Sequence, residues 1–199
     1  MGGTFNPVHK GHIAIAKAAQ ENYLLDKVIF VPSGNPPHKT NEYIADKEDR
    51  YKMVKMAIAG KKNYSISRVE IDRPGYSYAV DTFNELQKEY KGNALLYYIM
   101  GMDSINEILT WKKPLELFKV CQFIVATRPG ARVRTLKRLL KFPPLSLHAG
   151  QIHIIEVKEN ISSTGIRESI KKGKIPSSLL NEKVINYIKE NGLYGYTEK

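Results

Sequence analysis

The sequence predicts an α/β fold: a doubly wound parallel sheet of the Rossmann-like kind, closed by a small C-terminal helical subdomain. Three observations carry that expectation. Short apolar runs rich in β-branched or aromatic residues alternate with segments of helical periodicity over residues 1–160. Two of those runs lead directly into turns marked by Gly or Pro, as buried parallel strands do. The last quarter then changes character, with two consecutive helical patterns.

Residues 27–31 and 95–100 are the clearest strands, since continuous apolar runs suit a sheet covered on both faces. Residues 64–72 alternate apolar with polar, 122–127 form another short run, and 152–157 a late strand. Helical spacing occupies 11–22, 47–59, 78–90 and 114–119 between them. Two further helices are expected at 163–172 and 178–191, the second stopped by Gly192. The chain is therefore read as one domain, 1–199, with a sheet core over about 1–160 and the helical subdomain over about 161–199. In such a sheet a ligand binds beyond the carboxyl ends of the strands. The longest loop, 32–46, contains Pro36-Pro37-His38-Lys39, and its length marks it as a functional candidate.

Composition narrows the classes. An apolar content of 42% and a charged content of 26% exclude disorder and fibrous repeats. The single cysteine, Cys121, opens the apolar run 121–126 and reads as a small buried hydrophobe, which fits a reducing compartment. No apolar stretch reaches the roughly 18 residues of a membrane span, and no charged-then-apolar leader is seen, so a cytoplasmic enzyme is expected. The 31 Lys and Arg against 20 Asp and Glu, a formal +11, predict attraction to anions, whether small-molecule phosphates or nucleic acid. The densest basic stretch, Arg132, Arg134, Lys137, Arg138 and Lys141, has Leu136, Leu139 and Leu140 at helical intervals and reads as a solvated helix face.

The chemistry concentrates at two helix starts. Gly2 and Gly3 run through Thr4-Phe5-Asn6-Pro7 into His9, Gly11 and His12, a glycine pair leading to a helix N-terminus. Glycines let a backbone approach an anion, and the helix start adds unpaired N–H groups and a positive dipole end. His9 and His12, three residues apart, place two imidazoles on one bound group, and Gly11 removes a side chain that would obstruct a phosphate. A metal pair at that spacing lacks further ligands nearby. The second start is Ile161-Ser162-Ser163-Thr164-Gly165-Ile166-Arg167. Ser162 would serve as an N-cap on its own account, but three hydroxyls exceed one cap, and Arg167 offers a planar fork for phosphate oxygens.

Taken together, Gly2-Gly3-Thr4-Phe5-Asn6-Pro7, His9-x-Gly11-His12, Pro32-Ser33-Gly34 with Pro36-Pro37-His38-Lys39, Gly101-x-Asp103, Trp111-Lys112 and Ile161-Ser162-Ser163-Thr164-x-Ile166-Arg167 resemble the bacterial nicotinate-nucleotide adenylyltransferases. The match runs in order through nearly the whole chain. The resemblance implies transfer of AMP from ATP to nicotinate mononucleotide, giving deamido-NAD and pyrophosphate in NAD biosynthesis, with magnesium carried on the ATP phosphates. It implies that His9 and His12 hold the α-phosphate and that Lys39 and Arg167 grip phosphates. Gly2, Gly3, Thr4, Phe5, Gly11, Gly101, Asp103, Ser162, Ser163 and Thr164 would bind ATP, with Asp103 on the ribose. Tyr78, Asp81, Thr82, Trp111 and Lys112 would bind nicotinate mononucleotide, with Trp111 stacked on the pyridine ring; read alone, Trp111 is a core residue sooner than a ligand contact.

The chain departs from the family pattern at two places. Ala79 stands where the family usually has threonine, removing a hydroxyl near the pyridine and bearing on acid-versus-amide selectivity. Only Met1 precedes the glycine pair, where the family has a short apolar strand, so the central strand is expected to be short, as from a start assigned too late. Two other readings compete. One is a related nucleotidyltransferase acting on nicotinamide mononucleotide or a pantetheine phosphate. The other is a basic nucleic-acid binder or synthetase-like fragment, against which the length and the absent lysine-rich catalytic loop argue. The expected partners are thus ATP and nicotinate mononucleotide, with no membrane, no nucleic acid, and a homo-oligomer left open.

Overall fold

The structure, a computed structural model, describes residues 1–37, 43–127, 136–138, 140–159 and 161–197. Strands β1 (Gly2–Gly3), β2 (Val28–Pro32) and β3 (Tyr64–Ile66) pair in parallel in the order β1-β2-β3. Strands β4 (Tyr97–Gly101), β5 (Gln122–Thr127) and β6 (Ile152–Glu156) pair in parallel in sequence order. β1 lies beside β4, so the two sets read 3-2-1-4-5-6, with the reversal of strand order between β1 and β4. That is the doubly wound arrangement, and the reversal point is where such sheets bind ligands.

Residue alternation along β5 shows why helices cover both faces. Phe123 and Val125 enter one apolar core, and Ile124 and Ala126 enter the other. The first-named core is walled by α3 (Ala79–Glu89), α4 (Met102–Asn106) and α5 (Pro114–Val120) through Val80, Phe83, Ile105, Leu117 and Phe118. The other is walled by α1 (Lys10–Tyr23) and α2 (Lys47–Ile58), and by α6 (Ser163–Lys171) and α7 (Glu182–Glu190) through Ile166, Ile170, Val184 and Ile188. The closing helices thus share with α1 and α2 the core on one face of the sheet. Cys121 is buried and free, as its apolar run predicts.

Two expectations are corrected, and three short elements are added. The strand over 64–72 ends at Ile66, because Arg68 folds back to bind Glu48 and Asp72 and the Asp72 N–H bonds to the Arg68 carbonyl. The helix over 178–191 divides into a 3₁₀ turn, Ser177–Leu179, and α7, which begins where the Asn181 side chain accepts from the Lys183 N–H. The short helix α4 and the 3₁₀ turns Ile108–Thr110 and Leu145–Gln151 had no periodicity long enough to announce them. Of the basic stretch, Leu136 is buried while Lys137, Arg138 and Lys141 are exposed, as for a solvated helix face; Arg132, Arg134 and Leu139 lie outside the described residues. No helix among the described residues is long and apolar enough to cross a membrane.

The central strand is short, as expected. The Met1 ammonium donates to the Ile29 carbonyl at 2.7 Å and the Val31 N–H to the Met1 carbonyl at 2.9 Å, extending the line of β1 by one residue. Among the described residues no ladder bonds join β1 to β4. Below Met1 a cavity of about 440 Å³ opens between β2, β4 and α3.

Candidate active site

The crevice at the carboxyl ends of β1, β2 and β4 gathers most of the residues that the sequence singles out. β1 delivers the chain into Thr4 and then Phe5, whose left-handed backbone (φ 50°) turns it toward α1. His9 is the N-cap of α1 and His12 lies one turn in. Their rings stack with centroids 3.7 Å apart, and Phe5 meets His12 edge-on at 5.0 Å. The His9 backbone N–H donates to His12 Nδ1 at 3.2 Å. An Nδ1 that accepts carries no proton, so the neutral ring bears its hydrogen on Nε2. Burial first, and repulsion from His9 second, hold the His12 pKa well below the ordinary histidine range, so the ring is neutral near pH 7. The helix start thus presents an uncharged N–H donor.

The glycines serve packing more than openness. A Cβ on Gly2 would meet the Tyr98 hydroxyl at 2.9 Å, and one on Gly3 the Phe5 ring at 3.3 Å. At Gly11 it would meet the His9 ring at 3.0 Å and Ile161 at 3.3 Å, so the space freed there is filled by the imidazole and by the segment leading to α6. Gly11 thus lets the two helix starts approach each other closely. At Gly34, after β2, a Cβ would fall on the Glu70 carbonyl oxygen.

The second helix start sits against the first. Arg167 Nη1 donates to the Asn6 carbonyl at 2.9 Å and Ser163 Oγ to the Pro7 carbonyl at 3.0 Å. Ser162 Oγ accepts from the Gly165 N–H at 3.1 Å, which makes it the N-cap of α6, and Thr164 Oγ1 accepts from Arg167 Nη2 at 3.3 Å. The imidazoles and the guanidinium are thereby joined through the 4–9 turn. Lys39, with His38, lies outside the described residues.

Across the reversal point, α3 and the turn after α4 bring a second group of side chains together. Lys112 Nζ pairs with Asp81 Oδ2 at 3.0 Å and lies 4.3 Å from the centre of the Tyr78 ring. Trp111 is half-buried, 6.0 Å from the Tyr98 ring. Gly101 ends β4 and Asp103 is exposed in the first turn of α4, at the carboxyl end of that strand. Thr82 departs from the expectation. Its hydroxyl is buried, donates to Glu70 Oε1 at 2.7 Å and receives Arg73 Nη1 at 3.1 Å, so it is committed inside the wall. Burial chiefly raises the Glu70 pKa, and the Thr82 hydrogen bond opposes that rise. Ala79 is the first residue of α3.

Three contributors carry little sequence signal. Asn6 is buried, donating to the Tyr43 carbonyl at 2.8 Å and accepting from the Ala45 N–H at 3.1 Å. Ser77 Oγ accepts from the Gly34 and Asn35 N–H groups, tying the loop after β2 to the approach to α3. Arg50 is fully buried on α2, and the detectable sign was a charged residue on the same helix stripe as Met53, Val54 and Ala57.

Residues 1–169 match the family model described as cytidylyltransferase-like. The chain is 47% identical over 196 residues to a protein of Moorella thermoacetica named "Probable nicotinate-nucleotide adenylyltransferase", covering 98% of this chain and 89% of that one. It is 43% identical over 200 residues to a protein of the same name from Thermoanaerobacter sp., covering 100% and 94%. The fold matches that of Plasmodium falciparum nicotinic acid mononucleotide adenylyltransferase complexed with NaAD, with a TM-score of 0.77 and 19% identity over 98% of this chain and 96% of that one. A doubly wound sheet with paired helix starts at its reversal point, and full-length likeness at this identity, lead to one assignment: the chain belongs to the cytidylyltransferase-like family and, within it, to the nicotinate-nucleotide adenylyltransferases.

Proposed function

We propose that this nucleotidyltransferase moves the adenylyl group of ATP onto the phosphate of nicotinate mononucleotide. A phosphate oxygen of the mononucleotide attacks the α-phosphorus of ATP, the bond to the bridging oxygen of the β-phosphate breaks, and deamido-NAD and pyrophosphate leave. The second pKa of a phosphate monoester is about 6, so the nucleophile is already ionised at neutral pH and needs no strong base. The chain's task is then positioning and charge stabilisation.

The observation that carries this reading is the neutral His12, protonated on Nε2 and held by the His9 backbone within the turn that also binds Arg167. An N–H donor of that kind suits the charge that develops on α-phosphate oxygens. His9 supports it by stacking and shares the contact. Arg167 and Lys39 would neutralise the departing phosphates, with Ser162, Ser163 and Thr164 at the ATP tail. Gly2, Gly3, Thr4, Phe5 and Gly11 form the floor beneath the phosphates, and Gly101 and Asp103 face the adenosine. Magnesium would be carried on the ATP phosphates and would lower their charge; among the described residues no His, Cys, Asp and Glu cluster is arranged to hold an ion. Trp111 and Tyr78 offer flat faces to the pyridine, and Lys112 a cation to the nicotinate carboxylate or phosphate.

The test is pyrophosphate release with ATP and nicotinate mononucleotide, repeated with the nicotinamide form and with a pantetheine phosphate. Turnover with the first mononucleotide is expected. Turnover confined to the pantetheine phosphate would reassign the acceptor.

A further inference from the structure

Arg50 is a cation in the protein interior with no carboxylate bound to it among the described residues, and its side chain is only 1% exposed. Its three donors go to three carbonyls on three segments. Nε reaches Ala45 at 2.9 Å, Nη1 reaches Thr4 at 2.7 Å and Nη2 reaches Gly34 at 3.1 Å. Thr4 belongs to the turn that leads to the imidazoles, Gly34 to the loop after β2, and Ala45 to the end of the long 32–46 connection. Burial lowers the Arg50 pKa, yet a guanidinium remains charged at neutral pH.

For stability alone this is a poor choice, since burying a charge is costly and an apolar side chain of similar volume usually serves a core as well or better. What the guanidinium provides instead is a rigid planar fork with fixed donor directions, which a flexible ammonium cannot imitate. We infer that Arg50 is a positioning residue for the reaction: it fixes the separation of the turn carrying His9 and His12 from the loop after β2, and adds a buried positive charge beneath the anion site. Asn6 supports the same registry from the other side, through Tyr43 and Ala45.

This inference rests on the proposed adenylyl transfer for its turnover readout, so the experiment has two arms. Arg50→Met and Arg50→Lys are compared with the unaltered chain in pyrophosphate release and, separately, in ATP binding by calorimetry, both well below each variant's melting temperature. The expected result is a fall of about 100-fold in kcat/KM for both variants, the scale of a displacement of about 1 Å at a reacting centre, with ATP affinity also reduced. Millimolar guanidinium is expected to restore part of the turnover of an Arg50→Gly variant. A purely structural role would lower the melting temperature and leave kcat, KM and ATP affinity of the folded protein unchanged, and that outcome overturns the inference. Full activity in Arg50→Lys overturns it as well, because charge without the three-point fork would then suffice. If the unaltered chain binds ATP but does not turn over nicotinate mononucleotide, the acceptor assignment fails while the binding arm still decides the role of Arg50.

Discussion

The two sides of the crevice are built by different means. On the phosphate side the functional groups are fixed by buried or partly buried bonds within the protein: His12 by the His9 N–H, Arg167 by the Asn6 carbonyl, Ser163 by the Pro7 carbonyl, and the loops beneath by Arg50. On the proposed pyridine side Tyr78, Asp81 and Lys112 meet through an exposed ion pair and a cation–ring contact, with Trp111 half-buried beside them. A phosphate anchor is the same for every nucleotide and gains from rigidity, since preorganised donors need no rearrangement as charge develops. A base pocket has to discriminate between similar rings, and its contacts are correspondingly individual side chains at the surface.

The contrast is broken most severely at His12. His12→Ala is expected to lower turnover by about 100-fold or more while the fold persists, the scale of one lost transition-state donor. The pH dependence has a definite sign. A folded-state pKa below the unfolded value of about 6.5 means that the stability tied to neutral His12 is complete above that pH and is lost as pH falls below it. Urea denaturation at pH 7.5 and pH 5.5 should therefore show a larger acid loss for the unaltered chain than for His12→Ala. Equal losses in the two proteins would mean that His12 is charged in the fold.

The same division governs what the sequence discloses. The two helix starts that meet at the crevice were legible because such starts leave local marks, a glycine pair, histidines three apart and a hydroxyl run before an arginine. The strands 27–31, 95–100, 122–127 and 152–157 were legible because apolar runs of that length have few alternatives. What local pattern could not reveal is pairing at a distance. Nothing near Thr82 says that its hydroxyl is taken by Glu70, twelve residues earlier, and nothing near Arg50 says that its donors end on Thr4 and Gly34. The 64–72 alternation misled for the same reason, since Glu48 on another element draws Arg68 out of the strand. Nor does anything near Gly11 say that Ile161, 150 positions later, packs beside it.

Gly34→Ala sharpens the comparison on the rigid side. The added methyl would fall on the Glu70 carbonyl, a backbone atom that cannot turn aside, and would push the loop off both Ser77 and Arg50. A loss of about 2–3 kcal/mol in unfolding free energy is expected, as for overpacking in a closed interior. A melting temperature equal to that of the parent would show that this loop is slack. Trp111→Ala probes the other side and should be milder. It removes one aromatic face worth about 1 kcal/mol, so KM for nicotinate mononucleotide should rise by roughly fivefold with KM for ATP unchanged. A rise in both would place Trp111 in the general packing of the core.

The smallest effect should come from Asp81→Asn. The pair with Lys112 is exposed on both sides, 36% and 42%, and such pairs contribute about 0–1 kcal/mol, so stability should barely move. Binding should respond more than stability. With the carboxylate gone, Lys112 is released toward an anionic acceptor and a repulsive charge is removed from the pocket, so KM for nicotinate mononucleotide should fall by severalfold at low ionic strength. Raising the salt to about 1 M, where the screening length shrinks to about 3 Å, should erase most of the gain. An unchanged KM at low salt would mean that Asp81 holds Lys112 in its working position rather than in reserve. The pyridine side would then be as tightly constructed as the phosphate side, and the division between them would not stand.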